Sequence, residues 1–160
     1  MTHPLTLIMP LNPGTTLEDL GKVLVANQAS IDNALNTIGT VHFARFVVLD
    51  ASQPNLQPGL DPKGPLSLAV ITEYDFSFSK YITDFINAIG DVFNALLEFV
   101  VGGSALIPVA DHPDEFHAFV LKNDASAIPP NDGFNLYAAV PCTVQEIKAA
   151  NPCPTTAASQ

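Results

Sequence analysis

At 160 residues the chain fits one domain with a single sizeable core, and its 48% hydrophobic content with positive mean hydropathy argues against disorder except at the ends. Sixteen acidic against six basic side chains give a formal charge of −10, and the bases Lys22, Arg45, Lys63, Lys80, Lys122 and Lys148 are scattered. That pattern offers no footprint for nucleic acid or an anionic membrane, and fits a soluble cytoplasmic surface.

Met1 to Pro10 holds His3 and two prolines, a run too short for a signal peptide. Within it Leu5–Leu11 reads as a short buried strand stopped by Asn12, Pro13 and Gly14. A helix should follow, because Thr15 with Glu18, or Thr16 with Asp19, has the spacing that satisfies the free amides of a first turn. Leu17, Leu24, Ile31 and Ile38 recur every seven residues and give that helix one apolar stripe, ended by Gly39. Asn27 to Ser30 are weak helix formers, which predicts a break in the middle.

The next stretch, Val41 to Asp50 (VHFARFVVLD), is apolar and β-branched yet carries His42 and Arg45, the one arginine of the chain. We read it as an inner strand, Thr40–Leu49. Ala51–Pro65 holds four prolines and two glycines and must be an extended loop rather than a tight turn. Leu66–Tyr74 is a further strand, pairing antiparallel with the preceding one.

Ser77 or Ser79 can cap a long helix whose apolar positions, from Phe78 to Val100, step by three and four. Asp84, Asp91 and Glu98 interrupt this region, so it is amphipathic and not a membrane span. Gly102 and Gly103 terminate it. Ser104–Ala110 is a connector, Pro113 to about Asn123 a short helix, Asp124–Gly133 a loop, and Phe134–Val140 the last strand. Thr143 with Glu146 caps a terminal helix, Val144–Ala150. Residues 1–150 then form a single domain, and 151–160 a loose tail.

The element order is that of an α+β protein with the ferredoxin-like βαββαβ antiparallel sheet, an extra short helix before the last strand and a C-terminal helix. Two helices would cover one sheet face. The other face stays apolar, with Phe43 and Val47 on one side of their strand and Ala44, Phe46 and Val48 on the other, which predicts a partner; a homodimer is the simplest.

The runs VHFARFVVLD, LAVITEYDFSFSKYITDF and LYAAVPCTVQEI resemble the ferredoxin-like dimeric α+β barrel superfamily, in which two sheets pack face to face. The likeness spans most of residues 4–150. The wider superfamily includes dye-decolourising peroxidases and chlorite dismutases, so the resemblance implies an oxidoreductase-type step among several chemistries. The peroxidase group's GxxDG motif is absent, the nearest string being GLDP at Gly59–Pro62. No cofactor is expected, with haem at His42 the one candidate.

Arg45 cannot shed its charge, so in mid-strand it either pairs with Glu73 or Asp75 or binds an anionic or carbonyl group of a ligand. His42, three residues away, should point to the opposite face unless a bulge intervenes, and a symmetric hairpin would set it against Glu73. Phe43, Tyr74 and Asp75 complete the candidate ligand-binding set, Tyr74 and Asp75 at a strand end where they could rim a pocket. His112 and His117 are five apart, one step past the spacing of paired metal ligands on a helix, and no metal site is expected. Cys142 and Cys153 read as two thiols outside any CxxC. The functional expectation is a homodimer binding a small organic ligand; the competing one is a non-catalytic assembly or stress-associated module.

Overall fold

The computed structural model describes residues 2–126 and 142–150. Three strands, β1 (Thr2–Pro10), β2 (Val41–Asp50) and β3 (Leu66–Asp75), form an antiparallel sheet in the order β1-β3-β2. The register sets Leu7 and Phe46 on either side of Val70, and Ile8 and Val47 on either side of Ala69. Because successive side chains alternate, Leu5, Leu7, Met9, Leu68, Val70 and Tyr74 all face one side, where they are buried in the core. Pro4, Thr6, Ile8, Phe43, Arg45, Val47, Ala69, Ile71 and Glu73 face the other.

Among the described residues β2 is therefore an edge strand of this sheet and not an inner one; β3 takes the centre. The reason lies in chain geometry. β1 and β2 run parallel and are joined by a helix, which leaves a gap between them that the hairpin partner β3 fills. β1 tolerates Pro4 and Pro10 because alternate amides point away from β3: the Thr6 N–H donates outward to Asp124 Oδ1 at 3.1 Å, and the Thr6 carbonyl accepts from Ala125 N at 2.8 Å. A proline in that phase removes no bond from the ladder with β3.

The helix α1 (Leu17–Ile38) starts at Thr16, whose hydroxyl accepts from Asp19 N while the Asp19 carboxylate accepts from Thr16 N. Gly39 closes it at φ 62°, a left-handed conformation that glycine adopts without a Cβ clash. α1 is continuous through Asn27–Ser30, against expectation. Asn27 Nδ2 donates to the Val23 carbonyl and Gln28 Nε2 to Asp32, both at 2.8 Å, and packing of Leu20, Ile31 and Ala34 against the core overrides weak local propensity.

The helix α2 (Phe78–Leu97), capped by Ser77, lies on the same side of the sheet and buries Tyr81, Ile82, Phe85, Val92, Phe93, Leu96 and Leu97. It kinks at Ile89, where φ −136° and ψ 26° leave the helical region. A 3-10 turn (Gly103–Leu106) and α3 (Pro113–Asn123) follow, with Phe116 and Val120 closing the core. α4 (Val144–Ala150) begins at the expected Thr143–Glu146 capping box. The expected strand Phe134–Val140, the 151–160 tail and Cys153 lie outside the described residues; Cys142 is exposed.

Loop 51–65 is held by Asp50, fully buried, whose Oδ1 accepts from the Ser52 amide at 2.9 Å and hydroxyl at 2.7 Å. Gly64 packs so closely that a Cβ there would meet Ser52 and Asp50, which requires glycine. No helix among the described residues is long and apolar enough to cross a membrane.

Candidate functional site

The sheet face turned away from α1 and α2 carries most of the candidate residues. Arg45 sits opposite Ile71, and Phe43 opposite Glu73. Phe43 is 75% exposed, and Arg45 is exposed beside it. Among the described residues Arg45 makes no ion pair: Glu73 is one row away on the diagonal, and Asp75 has other partners. A guanidinium set between Phe43, Val47 and Ile71 keeps its five donors available.

Between Val41 and Phe43 the register slips, and His42 is the extra residue of this bulge. The bulge changes what parity alone dictates. His42 Nε2 lies 3.0 Å from Asp75 Oδ1 and 3.3 Å from Thr2 Oγ1, and both partners alternate onto the Arg45 face. The sequence set His42 against Glu73; Phe43 takes that place, and His42, turned onto the same face by the bulge, reaches Asp75 two residues further along β3.

Asp75 is nearly inaccessible, 1% of its side chain being exposed against 11% for His42. Its second oxygen accepts the Val144 amide at 2.8 Å, so it joins the first turn of α4 to the dyad. Val144 is buried yet outside the main core, which puts the start of α4 at this end of the second face. Directly after Asp75, Phe76 takes φ 69° and remains 42% exposed. A bulky residue in the left-handed region costs on the order of 1 kcal/mol, strain that surrounding structure must hold.

Thr2 and Asp75 both approach the same ring nitrogen, so the ring does not relay a proton from Thr2 to Asp75 as a nucleophilic triad requires. The arrangement instead fixes the ring through Nε2, and Nδ1 has no hydrogen-bond partner among the described residues. The Thr2 and Val144 contributions had no signal in the sequence, since each lies tens of residues from the group it touches.

Tyr74 belongs to the helix-packed face and does not rim this surface. It is 5% exposed and stacks on Tyr81 with ring centroids 4.0 Å apart; His3 approaches from the other side at 5.7 Å. Burial, assisted by the negative charge of Asp124, pushes its hydroxyl up to about 12. Burial also raises Tyr81, partly offset by its 2.7 Å hydrogen bond with Thr72. His117 packs on Phe78 at 4.8 Å, and no metal-binding cluster forms among the described residues.

A separate groove of about 410 Å³ lies on the helical layer at the α2 kink, lined by Asn27, Ser30, Asn87, Asp91, Asn94 and Val109 among others. None of the sequence candidates reaches it. The molecule is thus a mixed α+β protein with a helix-covered sheet face and a second face bearing a His–Asp dyad and an arginine unpaired among the described residues. In comparison with protein-family models, curated proteins and solved structures, the chain shows no match.

Proposed function

We propose that the chain is a ferredoxin-like dimeric α+β barrel protein that binds a small organic ligand carrying an anionic or carbonyl oxygen at Arg45. The observation that carries this reading is the second sheet face, where Phe43, Val47 and Ile71 surround an arginine that has no ion-pair partner among the described residues. Such a face is stable when covered, and a second copy would cover it while leaving the guanidinium to a ligand. The β1-β3-β2 order supports the fold reading, as does the Asp124–Ser126 segment along the outer edge of β1, beside which that fold carries its fourth strand. An oxidoreductase-type step comes from the resemblance alone.

Light scattering on the eluting protein should give twice 17.0 kDa. Ile71→Lys should give the monomer with an unchanged circular-dichroism spectrum, since Ile71 lies outside the core. In a thermal-shift screen of small carboxylates and carbonyl compounds, a stabilising hit should lose most of its shift in Arg45→Lys, which cannot make the bidentate fork. A monomer at all concentrations overturns the barrel. A dimer without any Arg45-dependent ligand leaves the face as an interface alone, as in an assembly or stress-associated module.

A further inference from the structure

The bulge at His42 does more than slip the register. It brings an imidazole that sequence parity directs to the core side onto the face of Arg45, and fastens it there through one nitrogen. Asp75 is buried and committed on both oxygens, to His42 and to the Val144 amide. An Nε2 engaged by a carboxylate carries the proton, which leaves Nδ1 as the basic lone pair. Phe76, directly after Asp75 in the chain, is held in a strained conformation and is 42% exposed.

We infer that His42 is a general base acting on carbon acids, small molecules with a C–H next to a carbonyl or an equivalent electron sink, with Asp75 as its positioning residue and Arg45 as the counter-charge. The inference rests on the ligand reading given above. Three residue rises separate His42 from Arg45, about 10 Å between backbones, and the long arginine side chain shortens the span its ligand must cover. Nδ1 takes the proton from carbon. The C–H electron pair moves into the adjacent double bond, and the carbonyl oxygen becomes an enolate that the guanidinium neutralises. Asp75 compensates the imidazolium formed. Return of the proton to the same or another carbon restores the base, so the cycle is an exchange or isomerisation that needs no oxidant. Among the described residues the other charged groups near the dyad are Glu73 on the same face and Glu146 in the first turn of α4.

The test uses the full-length protein and 5-nitrobenzisoxazole, whose C–H is removed by a base as its N–O bond breaks to give a coloured nitrophenolate. Wild type should turn it over at least a hundredfold faster than the same concentration of free imidazole, within the usual range for a positioned base. His42→Ala should lose that advantage and recover a substantial part of it when imidazole is added. Asp75→Asn should lower kcat about tenfold with KM unchanged, an outcome a purely structural tie would not give. Circular dichroism of each variant against wild type separates loss of the base from loss of the fold. Wild-type turnover no faster than free imidazole, or turnover that survives His42→Ala, overturns the inference. Binding of the nitrophenolate product, measured by titration in wild type and Arg45→Gln, distinguishes the two failures. Arg45-dependent product binding without turnover removes the base and keeps the ligand site, whereas no product binding and no turnover removes both.

Discussion

Replacing Thr72 by valine keeps the shape of the side chain and removes one hydroxyl from the interior. Thr72 and Tyr81 are 1% and 2% exposed, and their oxygens are 2.7 Å apart. The variant loses a hydrogen bond worth about 1 kcal/mol and leaves the tyrosine hydroxyl buried without its partner, at a further cost of about 1–2 kcal/mol. We expect a total near 2–3 kcal/mol. Tyr81→Phe should cost about 1 kcal/mol, because a small hydroxyl can turn to a nearby carbonyl. The double variant removes both polar groups together and should cost less than Thr72→Val alone, giving a coupling of about 1–2 kcal/mol. Urea denaturation of the four proteins reads these values from the midpoints at constant slope, and for a chain of this size Thr72→Val should lower Tm by about 4–12 °C. A Thr72→Val midpoint equal to wild type, or strictly additive effects, would refute the assignment of this pair as a buried polar tie.

Alkaline stability should follow the tyrosines. The folded state holds Tyr74 neutral up to about 12 against an ordinary value of 10.0, so its contribution is intact below pH 10 and is lost as pH rises towards 12. At about 1.4 kcal/mol per unit, discounted for solvent screening, this comes to on the order of 1–2 kcal/mol; urea midpoints at pH 8, 10 and 12 should fall accordingly, and Tyr74→Phe should reduce the slope. At the start of α1, Thr16→Ala removes the hydroxyl arm of the capping box, leaving the Asp19 carboxylate on the amide of residue 16, and should cost about 1 kcal/mol, with Thr16→Ser close to neutral. A loss below a few tenths of a kcal/mol in chemical denaturation would show that the first turn is held by packing instead.

The elements with local codes were legible in advance. α3 and α4 begin and end where a proline at the first turn, a capping box and an apolar stripe place them, and β3 pairs with β2 as the flanking apolar runs require. Two adjacent candidate caps for α1 could not be separated by spacing; the structure uses Thr16 and Asp19. What the sequence hid is relational. His42 was visible as a polar residue in an apolar strand, but its partner depends on a one-residue slip that no local pattern encodes. Arg45 was identified as a choice between an ion pair and a free donor; the register sets Ile71 opposite it, and it has no ion pair among the described residues. Tyr74 resembled a rim residue because it ends a strand, yet alternation from Thr72 turns it towards Tyr81. The strain at Phe76 has no signature in composition, since an aromatic residue after a strand is ordinary.

The position of β2 has a consequence for solubility. An edge strand offers a row of unused amides and carbonyls to any passing chain, and Phe46-Val47-Val48-Leu49 is the kind of uncharged, β-branched run that adds strands readily. Arg45 stands directly before that run and the buried Asp50 directly after it. Whatever it binds, the guanidinium makes the strand a poor template for its own copies, because stacking identical strands in register would bring like charges together. A hydrophobic replacement at this one position would leave seven apolar residues in sequence on that edge, from Phe43 to Leu49, and favour fibrous association.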